Sequence, residues 1–302
     1  MVNRGFEESV LYHYTGAGGL KGIFDSNTLW ATDAEFLNDA RELQFGRDEM
    51  LAVLAEYAEE LFPAARPFDG GEQYSRAEVV RSAIAYLLDT GGRQQGDGVY
   101  VSCFCEAGDL LSQWRGYGAG GGYALGFDVG ALRDITAIPT TLRQTDGHGP
   151  GTLVAAPDQM HLRPTLMQVH YGPEAITDVV ATVRQQIAPL PTGHPGAHGW
   201  AQAVTLAIPA LASIKHPAFS EEREWRLIIA DTGAAGPARF RLGPLGLVPY
   251  VEVPIDLSVA LREVIVGPSP YPELHKLAVT RLLSNAGLHN VPLRLSDVPY
   301  RT

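Results

Sequence analysis

Cysteine, lysine and long apolar runs are all scarce in this 302-residue chain, and each shortage removes a class of protein. The two cysteines, Cys103 and Cys105, are one residue apart on an apparent strand, which puts both side chains on one face. That spacing fits neither a zinc knuckle nor a disulfide scaffold, and buried, reduced thiols are expected. No stretch approaches the roughly 20 apolar residues a membrane helix requires, so no membrane partner is expected. The opening Met1-Val2-Asn3-Arg4-Gly5-Phe6-Glu7-Glu8 lacks the apolar segment of a secretory signal, and a cytoplasmic protein is the expectation. Lysine occurs only at Lys21, Lys215 and Lys276, and the net charge is −11. Without a basic surface to release counterions, non-specific nucleic-acid binding is not expected.

What is present is ordinary core material: 45% hydrophobic and 19% charged residues. Strands are predicted at 10–14, 28–32, 99–105, 123–127, 166–171, 224–230, 239–242, 248–253, 263–267 and 291–295. A short helix capped by Thr15 runs to Phe24, and longer ones are predicted near 40–62, 75–88, 109–117, 174–187, 200–214 and 272–286. Residues 140–164, rich in Gly, Pro, Asp and His, read as a long flexible loop. Strands and helices mix without regular alternation. The expected fold is therefore α+β: a single domain over 1–302 with a central mixed or antiparallel sheet flanked by helices.

Four segments carry polar groups where chemistry would need them. Leu11-Tyr12-His13-Tyr14-Thr15 places an imidazole on a strand that reads as buried, with Leu11, His13 and Thr15 on one face and the tyrosines on the other. Phe36-Leu37-Asn38-Asp39 forms a polar elbow between strand and helix, where Asp39 suits a cap. Ser112-Gln113-Trp114-Arg115-Gly116-Tyr117 joins an arginine to a neighbouring ring, a pairing suited to a phosphate beside a base, and a glycine run follows it. In Glu222-Arg223-Glu224-Trp225-Arg226, strand alternation places Glu222, Glu224 and Arg226 on one face, opposite Arg223 and Trp225. Carboxylates at the mouth of an otherwise apolar strand indicate a polar cleft at the sheet's end.

These segments, with Leu29-Trp30-Ala31, Lys215-His216-Pro217-Ala218-Phe219 and Val264-Ile265-Val266-Gly267-Pro268, resemble a bacterial family catalogued as domain of unknown function 2971. More distantly the chain is similar to the ADP-ribosyltransferase superfamily. That likeness implies a split central sheet, with His13 on the first strand and Glu224 on a late one, and Glu222-Arg223-Glu224 looks like the Glu-x-Glu of one branch. The chain departs from the superfamily in the middle, where no Ser-Thr-Ser occurs. Ser102, Tyr117 and Tyr123 are all candidates to hold nicotinamide.

The resemblance implies NAD as substrate and an acceptor that is a protein side chain, a nucleic-acid base, a small molecule or water. Glu224 would stabilise the oxocarbenium-like transition state, Glu222 would orient or deprotonate the acceptor, and His13 would bind the adenosine ribose. Tyr14, Thr15, Ser102, Trp114, Arg115, Tyr117 and Tyr123 complete the expected NAD-binding set, Arg115 gripping the pyrophosphate. A role as a stress or antiphage effector or toxin follows from the same reading. Two alternatives stand beside it. One is a metal-dependent nuclease or phosphodiesterase using Glu222, Glu224, Asp39 and His13. The other is a non-catalytic nucleotide-sensing module.

Overall fold

A computed structural model of the chain describes residues 10–37, 98–118, 120–135, 164–172, 177–179, 181, 209–210, 212–231, 239–243 and 246–299. The helices predicted at 40–62 and 75–88, most of those at 174–187 and 200–214, Asn38, Asp39 and nearly all of the 140–164 loop lie outside these residues.

The fold is α+β, built on a mixed sheet with helices against it. Its strands are β1 (Val10–Thr15), β2 (Thr28–Asp33), β3 (Gly98–Cys105), β4 (Tyr123–Asp128), β5 (Thr165–Gln168), β8 (Glu224–Asp231), β9 (Arg239–Gly243), β10 (Gly246–Pro254), β11 (Leu261–Val266) and β12 (Leu293–Leu295). Among the described residues only β11 and β12 run parallel in this sheet. A separate parallel pair joins β6 (His170–Tyr171) to β7 (Ile214–Lys215). The strand predicted at 166–171 is thus two strands in two sheets. Ile214, expected to end a helix, lies on a strand instead, because its backbone pairs with His170.

The sheet branches at β3. One edge of β3 pairs with β8 along its whole length, from Gly98 opposite Asp231 to Cys105 opposite Glu224. The other edge is shared. Cys105 pairs with Tyr12 of β1, whereas Val101 and Tyr100 pair with Thr32 and Asp33 of β2. Between them Ser102, Cys103 and Phe104 have no ladder partner on that edge among the described residues. From this notch one arm continues through β1, β4, β11 and β12, the other through β2, β10 and β9. The connection from β1 to β2 is helix α1 (Ala17–Ser26). Its N-cap is Gly16 rather than Thr15, which remains on the strand opposite Tyr123.

Alternation along the strands sorts the two faces. Leu11, Leu29, Ala31, Tyr100, Phe104, Leu125, Phe127, Trp225, Leu227, Ile229, Val253 and Val264 form the main core, into which Leu20, Ile23 and Phe24 of α1 pack. Burying each large aliphatic side chain there stabilises the fold by about 1.5–3 kcal/mol. The opposite face carries Tyr12, Tyr14, Cys105, Ala124 and Ile265, covered by Trp114 of helix α2 (Leu111–Tyr117). Asp109, predicted as helical, sits just before α2 and accepts hydrogen bonds from Trp114 Nε1 (2.7 Å) and the Asp297 amide (2.8 Å). Helices α3 (Val129–Arg133), α4 (Leu257–Ala260) and α5 (Pro272–Asn285) complete the described set. Among the described residues no helix is long and apolar enough to cross a membrane.

Candidate functional site

The two acids singled out in the sequence meet, but not through strand alternation. Strand β8 begins at Glu224, and Glu222 ends a 3₁₀ turn over Pro217–Glu222. Arg223 between them is left-handed, with φ 40° and ψ 55°, a conformation uncommon for a residue with a Cβ. This twist lets both carboxylates reach one ammonium. Lys215 Nζ donates to Glu222 Oε2 at 2.9 Å and to Glu224 Oε2 at 3.0 Å.

Glu224 is only 4% exposed and its oxygens are fully engaged. Arg226 donates from Nε to Oε1 at 2.7 Å and from Nη2 to Oε2 at 3.1 Å, and its Nη1 bonds the Ala212 carbonyl at 2.8 Å. The Cys103 thiol adds a further hydrogen bond. Burial alone would raise the Glu224 pKa. The Arg226 charge and hydrogen bonds, Lys215 and the thiol outweigh burial and hold it at about 2. Glu224 is therefore a fixed anion. Glu222, whose side chain is 21% exposed, is the carboxylate that solvent and ligands reach.

Both cysteines serve this corner as neutral donors. Cys105 Sγ donates to the Glu222 carbonyl at 2.9 Å, and Cys103 bonds the Glu224 carboxylate. Burial, followed by the nearby Glu224 charge, pushes the Cys103 pKa well up, so the thiol keeps its proton. Tyr171 accepts a hydrogen bond from the Glu224 amide at 2.8 Å, and burial pushes its phenol up to about 12.

His13 approaches the same point from the notch. Its Nδ1 donates to the Cys103 carbonyl at 2.9 Å, satisfying an acceptor that the branched sheet leaves without a ladder partner. Burial lowers the imidazole pKa against the opposing pull of that bond, and the Arg241 charge lowers it further. A neutral ring results, with Nε2 left as an acceptor. His13 and Glu224 thus grip one residue, Cys103, by its carbonyl and its thiol. Tyr117, at the end of α2, is 45% exposed, yet its hydroxyl lies within electrostatic reach of Cys103, Glu224, Glu222 and Lys215; burial, then Cys103 and the two carboxylates, push its pKa up against the opposing pull of Lys215.

The structure therefore brings together Tyr117, Glu222 and Glu224, whereas His13 stands beside Phe104, ring to ring at 5.7 Å, and reaches Cys103 only through its backbone carbonyl. It places the other expected residues elsewhere. Tyr14 donates to the Ala107 carbonyl at 2.7 Å, accepts from the Leu110 amide at 3.0 Å, and meets Trp114 edge-on at 4.7 Å. Trp114 is 1% exposed, so its ring faces no ligand. Arg115 is exposed on α2, and Thr15 packs against Gly19 of α1. Tyr123 lies in the core with its ring 6.2 Å from that of His275. Ser102 is buried on the core side, its hydroxyl unpartnered among the described residues. The glycine run makes the turn from α2 into β4. Gly121, at φ 118°, has no room for a Cβ beside His275.

Lys215, Arg226 and Arg241 were not singled out as site residues from the sequence. Lys215 had a visible signal: it is one of three lysines in an arginine-dominated chain. Arg226 had one too, since strand alternation sets it on the face of Glu224, whereas Arg241, whose partner Thr32 is distant in sequence, left none.

Residues 113–227 match the family model described as Protein of unknown function (DUF2971). The DUF2971 segment contains Tyr117, Tyr171, Lys215, Glu222, Glu224 and Arg226, so apart from His13 and the two cysteines the corner lies within it. No curated protein and no solved structure matches the chain.

Proposed function

We propose that this corner acts on NAD, breaking the nicotinamide–ribose bond and passing ADP-ribose to an acceptor or to water. The observation that carries the reading is the meeting of a fixed and a more exposed carboxylate on Lys215, with Tyr117 beside them and His13 on the Cys103 carbonyl, where the sheet divides. In the reaction the ribose C1′–N bond breaks, its electron pair going to the nicotinamide nitrogen. The sugar is left as an oxocarbenium-like cation, which the acceptor attacks while losing a proton.

A carboxylate held ionised at neutral pH is what stabilises such a cation. Glu222, the more exposed of the two, touches substrate, supplies that charge and takes the acceptor's proton, while Glu224 is a positioning residue that moors Lys215 beside it. The exposed Tyr117 ring flanks nicotinamide, and His13 Nε2 accepts from a ribose hydroxyl. Two free thiols, Cys105 buried and Cys103 half-buried, accord with a reducing, cytoplasmic setting.

The metal-dependent alternative finds less support. Glu222 and Glu224 already share a cation, the Lys215 ammonium, where a divalent ion would bridge them.

The test is nicotinamide release from NAD, followed by chromatography. The Glu222→Gln variant is expected to slow release by on the order of 10²–10³ while its melting temperature stays near wild type. NAD binding by the wild type without release would favour a sensing module. A wild type that neither binds NAD nor releases nicotinamide overturns the NAD reading.

A further inference from the structure

The β2–β10–β9 arm holds a cation with an unmet need. Arg241 on β9 reaches across β10 to β2, where its Nη2 donates to Thr32 Oγ1 at 3.0 Å. Its Nε is buried and has no hydrogen-bond partner, and no carboxylate pairs with the guanidinium among the described residues. Other arginines are answered: Arg226 by Glu224, Arg239 by Glu252, Arg262 by Asp128 and Arg294 by Glu263. A second buried donor without a partner, Trp30 Nε1, lies on the same arm, its ring 4.8 Å from that of Tyr250, which stands opposite Thr32. Donors buried without acceptors are costly, so their persistence indicates that an acceptor arrives from outside. A planar fork with free N–H groups matches phosphate oxygens.

We infer that Arg241, with Thr32 beside it, forms a phosphate-binding subsite that takes the pyrophosphate group of a nucleotide. Arg241 is also close enough for its charge to act on His13, which places the subsite beside the notch. The identity of that nucleotide as NAD rests on the function proposed above; the anion site itself does not. Arg115, exposed on α2, is thereby replaced as the residue that grips pyrophosphate.

Calorimetric titration of the full chain with inorganic pyrophosphate, and separately with ADP-ribose, tests this. The wild type binds both. Arg241→Gln weakens binding by about tenfold to a hundredfold, the loss of one or two charge-assisted hydrogen bonds. Arg241→Lys, which keeps the charge and loses the fork, falls between, and Arg262→Gln, at an exposed arginine of the other arm paired with Asp128, binds pyrophosphate as the wild type does. Circular dichroism confirms that each variant is folded. No pyrophosphate binding by the wild type, or equal affinity in Arg241→Gln, overturns the subsite. Pyrophosphate binding that depends on Arg241 in a protein that releases no nicotinamide sinks the NAD reading and leaves the subsite standing.

Discussion

Arg226 and Arg241 lie in one sheet and have opposite surroundings. Arg226 is 3% exposed, and its Nε, Nη1 and Nη2 all donate to protein oxygens. Arg241 is partly buried, makes one side-chain bond, and leaves its Nε unanswered. The difference separates a charge that the fold satisfies internally from one that it leaves for a ligand. Desolvating a guanidinium costs several kcal/mol, and only the first arginine recovers that cost from its own chain.

The largest test of this contrast is Glu224→Gln. From the sequence this substitution would be expected to spare the fold, but in the structure it removes the anion held between Arg226 and Lys215. A loss of about 3–5 kcal/mol in urea unfolding is expected. A loss below about 1 kcal/mol would show that the cluster is not the closed unit described.

Acid provides the next largest effect. The Glu224 pKa is depressed from 4.5 to about 2 on folding, so its contribution is complete above 4.5 and is lost as pH falls through about 2. Stability measured across that window should drop in the wild type and drop less in Glu224→Gln. Lys215→Met should cost about 1–3 kcal/mol, less than the loss of Glu224, because Arg226 still holds that carboxylate and Glu222 can turn to water. The smallest change is expected for Arg241→Met. Removing an unanswered cation should leave unfolding free energy within about 1 kcal/mol of wild type, or raise it. A loss as large as that of Glu224→Gln would erase the distinction between the two arginines.

Much of the frame was legible in the chain. The apolar alternation of Leu11, Tyr12, His13 and Tyr14 gave β1 and its faces correctly, and the Val99–Cys105 run gave β3, because local pattern reports burial directly. Pattern also marked the entrance of β8 as polar. What it could not show was the partner at each position. Strand alternation predicted that Glu222 and Glu224 share a face, and they do converge, but through a left-handed Arg223 and a lysine seven residues upstream of Glu222. Trp114 read as a ligand-facing ring. In the structure Asp109 takes its N–H and Tyr14 its face, contacts made by residues whose proximity only the folded sheet decides. Arg241 stood in an unremarkable Arg-Phe-Arg-Leu strand. Its isolation depends on which residues are missing around it, and no local pattern records that.

The positive φ at Arg223 has a consequence of its own. A single backbone torsion fixes how far apart the two acids stand and how tightly both are moored to Lys215. A β-branched side chain at 223 would resist that torsion and swing Glu222 toward solvent, while glycine would accept it freely. The reactivity of the corner can thus be retuned through a residue that carries none of its chemistry, with every acid and base left in place.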